Sequence, residues 1–316
     1  MATILITGAG GLLGANLVLD ALASGHRVIA VDHQYPIRHP EVDSLAADLC
    51  QAGAAESILA AKRPDWVIHC AAATSVDGCE ADPAMAFRLN RDMAQAVARG
   101  ARAAGSRLVH ISTDAVFDGE RGGYREEDVP SPINVYGRSK LEGERAVAAA
   151  DPQALIVRTN LYGWNAQDKQ SLAEWFLSNL EAGKRCRGFT DVWFSPILVN
   201  DLGRLLFAML EAGLAGVYHV AGGECVSKYD FGVLIARVFG FDPQLIRPAA
   251  TPDGPPRARR GRQLCLRSLR IDALAGLRLP AAAEGLTRWK QLGDEGLAGR
   301  LRGLIDPQPQ AGARDV

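Results

Sequence analysis

The stretch Thr3-Ile4-Leu5-Ile6-Thr7-Gly8-Ala9-Gly10-Gly11-Leu12-Leu13-Gly14 decides the fold. Its first five residues form a short apolar and β-branched run, as in a buried strand. Glycines then recur as Gly8-x-x-Gly11-x-x-Gly14, and an amphipathic run follows over 12–23. Glycine lets the backbone turn sharply and approach a pyrophosphate with no side chain in the way. The helix that follows turns its free N–H groups and positive dipole end towards the same phosphate. The pattern departs from GxGxxG because position 13 is leucine. A tight strand-to-helix turn alone would ask for similar glycines. Their place between a strand and an amphipathic helix favours a dinucleotide site.

Outward from this turn, short apolar runs alternate with longer amphipathic ones. Strands are expected over 4–7, 27–31, 66–69, 108–112 and 155–158. Helices are expected over 12–23, 54–61 and 83–104, the last opened by Pro83, and within 132–150. Strands separated by helices imply crossover connections, hence an α/β fold with a doubly wound parallel sheet covered on both faces. Beyond Arg158 the rhythm changes. Helices are expected over 171–181, 201–210 and 229–239 with weaker strand signals between them, as in a smaller C-terminal domain. The Pro- and Arg-rich stretch 248–262 reads as a loop, and the polar tail after Asp306 as frayed.

Composition narrows the class. Hydrophobic residues make up 48% of 316, enough for a sizeable core, and the formal charge of -1 lacks the basic excess of a nucleic-acid binder. No run approaches twenty apolar residues, and the N-terminus shows no secretory leader, so a cytoplasmic protein off the membrane is expected. Cys50, Cys70, Cys79, Cys186, Cys225 and Cys265 are scattered with no CxxC spacing. Reduced thiols are expected, with neither a disulfide framework nor a metal site.

Three groups of side chains carry chemistry. Asp32 ends the second strand, where a carboxylate can accept from adenosine ribose hydroxyls and would repel a 2′-phosphate. It favours NAD(H), with NADP(H) left open. Asp48-Leu49 follows the third strand, where the carboxylate can meet the adenine amino group or cap a helix. Tyr136 and Lys140 are four apart, on one face of a helix. A neighbouring ammonium favours a phenolate and is expected to bring the tyrosine towards the working pH range. Thr113, at a strand end on the ligand side of the sheet, can donate to a substrate carbonyl or simply cap its turn.

With these residues in place the chain resembles the extended short-chain dehydrogenase/reductases. The resemblance rests on the glycine turn, Ala71-Ala72-Ala73 after the fourth strand, and Tyr136-x-x-x-Lys140. It narrows to the dTDP-4-dehydrorhamnose reductase branch through Ile111-Ser112-Thr113-Asp114-Ala115-Val116-Phe117-Asp118-Gly119. Tyr124-Arg125-Glu126-Glu127-Asp128, Pro132-x-Asn134-x-Tyr136-Gly137 and Val76-Asp77-x-Cys79-Glu80-x-x-Pro83 extend it. It is good over 1–222 and thinner beyond.

The resemblance implies a Rossmann-like dinucleotide domain over 1–160, rejoined by part of 189–222, and a mainly substrate-binding domain over 161–316. It implies that Gly8, Gly11, Leu12, Leu13, Gly14, Asp32, Asp48, Leu49, Ala71, Ala72 and Ala73 hold the dinucleotide together with Tyr136 and Lys140. The implied reaction reduces a nucleotide-linked 4-keto-6-deoxy sugar. Tyr136 supplies the proton, Lys140 tunes it and grips the ribose, and Thr113 binds the keto oxygen. Arg257, Arg259, Arg260 and Arg262 lie where such proteins often keep arginines for the substrate diphosphate, although a solvated loop would carry them equally well. Related 4,6-dehydratases have a glutamate where this chain has Ala115, which argues against dehydration. An NAD-dependent epimerase remains open, as does a non-catalytic nucleotide-binding module like the regulatory subunit of methionine adenosyltransferase; retention of Thr113, Tyr136 and Lys140 together argues against the latter. Such proteins often dimerise, so a homodimer is compatible with the resemblance.

Overall fold

A computed structural model of the chain describes residues 1–252, 258–274 and 276–305. Seven parallel strands form the central sheet: β1 (Thr3–Thr7), β2 (Arg27–Asp32), β3 (Val42–Ala46), β4 (Trp66–His69), β5 (Arg107–Thr113), β6 (Leu155–Thr159) and β7 (Gly216–His219). Their order is β7-β6-β5-β4-β1-β2-β3. The principal helices are α1 (Leu12–Ala23), α2 (Ala54–Lys62), α3 (Met93–Ala104), α4 (Val135–Ala150), α5 (Leu172–Glu181), α6 (Val199–Glu211), α7 (Lys228–Phe239) and α8 (Ala282–Asp294).

Alternation along β1 shows why both faces need cover. Ile4 and Ile6 pack with Leu17 of α1 and Leu202 and Leu206 of α6. Leu5 packs on the opposite face with Leu59 of α2, Val97 of α3 and Val147 of α4. A strand buried on two sides is apolar throughout, as Ile4, Leu5 and Ile6 are. Chain order reverses between β1 and β4, and ligands of such sheets sit beyond the strands' carboxyl ends at that point. A second core joins α5, α7 and α8 through Phe176, Leu177, Phe231, Ile235, Leu286 and Trp289. Beside it the short strands Cys186–Phe189 and Ile246–Ala249 pair in parallel.

Three expectations need correction. The single helix expected over 83–104 is instead Pro83–Phe87, a π-turn at Arg88–Asp92, and α3. The π-turn presents Asn90, which accepts from the Ala73 N–H (2.8 Å) and donates to the Ala73 carbonyl (3.1 Å) and Ser139 Oγ (2.9 Å). Such bulges recur where a helix must aim one side chain. The stretch 248–262 is not all loop, because Pro248 and Ala249 end a strand. Its residues 253–257, Arg257 among them, lie outside the described residues, as does the tail from Asp306.

The third concerns cysteine. Cys225 and Cys265 are joined as a disulfide, while Cys50, Cys70, Cys79 and Cys186 are free. Forty residues separate the pair, a distance from which sequence spacing gives no cue. The bond ties the loop after β7 to a segment hydrogen-bonded to Tyr124, whose N–H donates to the Cys265 carbonyl (3.0 Å). No described helix is long and apolar enough to cross a membrane.

Candidate active site

At the end of β1 the chain enters a left-handed turn at Gly8 (φ 63°), and the backbone N of Ala71 lies 2.7 Å from where a Cβ would stand. Any side chain would be strained in conformation and would also push β4 away. Gly11 then starts α1 with no side-chain cap and no acid in the first turn. The first N–H groups of a helix have no intrahelical partners, and here no side chain of the cap or first turn takes their place. That cradle fits a pyrophosphate, and Gly8, Gly11, Leu12, Leu13 and Gly14 all line one large cleft.

Asp32 reaches the same turn. Its Oδ2 accepts from Gly10 N–H (3.0 Å), and its Oδ1 from the N–H groups of Gln34 (2.9 Å) and Tyr35 (2.8 Å). It therefore braces the glycine turn while it lines the cleft. Asp48 and Leu49 line it too, with Asp48 Oδ1 capping Cys50 N–H (2.9 Å). The cap of α2 is Gly53, so the helix-cap alternative for Asp48 does not apply. Ala71 and Ala72 face the cleft. Ala73 is not among its lining residues and is clamped by Asn90. Gln167 falls within 161–316, expected mainly to bind substrate, yet its Nε2 donates to the Gly10 carbonyl (2.9 Å) and reaches the glycine turn.

Thr113 ends β5 and Tyr136 lies in the first turn of α4. Asn134 caps that helix by accepting from Gly137 N–H (2.7 Å). A Cβ at Gly137 would collide with the Ala115 carbonyl, so glycine lets the helix start press against the chain just beyond Thr113. The Thr113 hydroxyl is thereby brought beside the Tyr136 phenol. Lys140, 3% exposed, donates from Nζ to the Ile111 carbonyl (2.7 Å).

The electrostatics of this corner correct one expectation. Burial pushes the half-buried Tyr136 phenol up to about 12, against a smaller pull from Thr113. The lysine does not bring it into the neutral range, so Tyr136 rests as a protonated donor. Burial also draws the Lys140 ammonium down to about 8, opposed by the charge of Glu144.

The sequence reading missed the layer beneath. Glu144 is buried and forms an ion pair with Arg158, with Nε–Oε1 at 2.9 Å and Nη2–Oε2 at 2.7 Å. Ser112 Oγ also donates to Glu144, and Arg158 lies near His219 Nε2 (3.4 Å). The available signal was spacing, since Tyr136, Lys140 and Glu144 fall four apart. Asn160, also missed, donates to Asp114 Oδ2 (2.6 Å), and Asp114 sits buried in the cleft beside Thr113. Burial raises the Asp114 carboxyl to about 6, with the Asn160 and Thr113 hydrogen bonds opposing.

Residues 258–267 cross the cleft as a strap. Arg260 pairs with Asp77 on one wall (2.7 Å) and Arg262 with Asp191 on the other (3.2 Å). Both arginines line the cleft, whereas Arg259 contributes its carbonyl to Asn134 Nδ2 (2.7 Å). Phe189, Val192, Trp193 and Phe194 complete the far wall. The cleft measures about 1560 Å³, more than a single drug-sized ligand fills and suited to a dinucleotide with a second large ligand.

The RmlD substrate binding domain model matches residues 1–292. The chain belongs to this family. The match extends well past residue 222, where the sequence resemblance thinned. The chain is 38% identical over 281 residues to dTDP-4-dehydrorhamnose reductase of Mycobacterium tuberculosis, covering 87% of each. It is 35% identical over 287 residues to the probable low-salt glycan biosynthesis reductase Agl14 of Haloferax volcanii, covering 89% of this chain and 95% of the relative. It also superposes on the crystal structure of dTDP-4-dehydrorhamnose reductase from Bacillus anthracis, solved with NADP. There the TM-score is 0.81 and the identity 28%, over 92% of this chain and 99% of the other.

One pH dependence follows from the buried lysine. Lys140 is a cation below about 8 and neutral above, while Tyr136 holds its proton to about 12. If Tyr136 gives up its proton in turnover, as expected from the sequence, loss of the ammonium removes a charge that would support the phenolate. Catalytic turnover should therefore fall as pH rises through about 8 in a kcat profile. A descending limb that begins only above pH 10 would contradict this.

Proposed function

We propose that the protein reduces the keto group of a nucleotide-activated 4-keto-6-deoxy sugar, using a nicotinamide dinucleotide. The observation that carries this reading is the convergence of Thr113, Tyr136 and Lys140 at one corner of the cleft that the glycine turn also lines. A dinucleotide held by the glycine turn would supply the hydride for the carbonyl carbon. Thr113 and Tyr136 donate to the carbonyl oxygen, and Tyr136 passes its proton to the alkoxide as that forms. A donor with its pKa raised to about 12 is suited to this direction, since it arrives protonated. Lys140 offsets the charge left on the phenolate, and the Glu144–Arg158 pair beneath holds α4 against β5 and β6. Residues 1–160, with part of 189–222, are read as holding the dinucleotide, and 161–316 mainly as holding the sugar nucleotide. Family membership and reductases at 38% and 35% identity support the same class.

For the cofactor we infer a preference for NAD(H). The cleft wall beside Asp32 carries His33, Gln34, Tyr35 and Asp48. None of these four is a Lys or Arg that could neutralise a 2′-phosphate.

Tyr136→Phe should lower turnover of a 4-keto nucleotide sugar by at least about a hundredfold, the scale of one general acid, with NADH affinity nearly intact. Stopped-assay product formation against dTDP-, UDP-, GDP- and CDP-linked sugars measures this, and a wild-type rate in the variant would remove Tyr136 from the mechanism. In a separate titration, Asp32→Ala should narrow the difference between NADH and NADPH dissociation constants. Unchanged selectivity would show that Asp32 only braces the glycine turn.

A further inference from the structure

Lys228 is the first residue of α7, and its side chain lines the cleft in a half-buried position. Its backbone is held by its neighbours. Ser227 pairs with Trp193 across a short antiparallel ladder and caps the helix at Asp230 N–H (3.0 Å), and Lys228 N–H donates to the Val192 carbonyl (2.9 Å). Its ammonium nevertheless makes no hydrogen bond or ion pair among the described residues. Other cations that line the cleft differ: Lys140 bonds the Ile111 carbonyl, and the exposed Arg260 and Arg262 pair with Asp77 and Asp191. Lys169 lies exposed at the rim.

A charged group withdrawn from water without a partner costs free energy, so a half-buried ammonium in a cleft, with no partner among the described residues, is poised for a ligand. Two charged groups act on it, Arg260 of the strap and Asp114 beside Thr113. All three line the same cleft, and Val192, whose carbonyl takes the Lys228 N–H, precedes Trp193, whose own N–H donates to the Arg262 carbonyl of the strap (2.7 Å). Asp114 spends Oδ2 on Asn160 and Oδ1 on the Thr113 hydroxyl (3.1 Å) but still faces the cleft. A carboxylate there would repel a phosphate, and the strap's arginines already offer the planar forks that phosphates prefer. A hydroxyl suits the pair better. It can accept from the ammonium and donate to the carboxylate at once.

We propose that Lys228 is a specificity-determining residue that, with Asp114, brackets a ring hydroxyl of the sugar between its reacting carbonyl and its diphosphate. The site then selects sugars hydroxylated at that position over their deoxy counterparts. This rests on the nucleotide-sugar reading above, so the test reads binding, not turnover.

Protein saturated with oxidised dinucleotide would be titrated by calorimetry with a nucleotide-linked 6-deoxyhexose, its ring-deoxygenated analogues and the nucleoside diphosphate alone. Each titration would be run on the wild type and on Lys228→Met, which keeps the aliphatic stem. In the wild type, one deoxygenation should weaken binding about ten- to a hundredfold, the range for a hydrogen bond to a charged group. Lys228→Met should weaken the hydroxylated ligand equally and leave that deoxy analogue and the diphosphate within about twofold. An equal loss for the diphosphate alone would make Lys228 a phosphate contact, and no loss for any ligand would remove it from recognition. Either result overturns the proposal while the functional reading stands. Failure of the wild type to bind any nucleotide sugar would reject that reading, and this inference with it.

Discussion

The 2.7 Å hydrogen bond from the Lys140 ammonium to the Ile111 carbonyl fastens α4 to the end of β5. Everything at the reacting corner depends on it. Ile111 lies two residues before Thr113, and Lys140 lies one turn after Tyr136, so one bond sets the two hydroxyls against each other. A buried ammonium would be costly unless compensated. Here the compensation is layered, with a carbonyl at Nζ and Glu144 one turn below, itself held by Arg158 and Ser112. The same burial lowers the lysine to about 8 and raises the tyrosine to about 12, which sets a protonated acid beside a cation close to neutrality.

Close backbone approach is the second constraint, and it explains why the fold was legible from its opening residues. Gly8 admits Ala71 to the end of β1, and Gly137 admits the Ala115 carbonyl to the start of α4. Such contacts leave a plain mark in sequence, because only glycine allows them. The strands were legible for a related reason. Burial on both faces forces continuous apolar runs, as in Ile4-Leu5-Ile6 and Val28-Ile29-Ala30-Val31. Periodicity likewise placed α1 at its observed limits.

What sequence did not reveal consists of pairings between distant residues. Cys225 and Cys265 meet because the loop after β7 and the strap converge, a fact of topology with no local signature. The π-turn at Asn90 looks like ordinary helix until the atoms it must reach, on Ala73 and Ser139, are known. Asp32 was legible as an acid after the second strand, yet its bonds to Gly10, Gln34 and Tyr35 are set by the turn's shape. Asn160 and Lys228 carry no motif; the interest of Asn160 comes from its bond to Asp114, and that of Lys228 from lining the same cleft. The strap adds a mechanical element, since Arg260 and Arg262 pair with opposite walls and the disulfide anchors its far end.

The central claim is that this corner delivers hydride and proton to a sugar carbonyl. It is tested most directly by incubating the enzyme with NADH deuterated at the transferring position and a nucleotide-linked 4-keto-6-deoxy sugar, then analysing the product by NMR and mass spectrometry. The account predicts one deuterium bonded to the former carbonyl carbon and stoichiometric oxidation of the dinucleotide. A product without deuterium at that carbon, or an isomerised sugar with the dinucleotide returned unchanged, would contradict it.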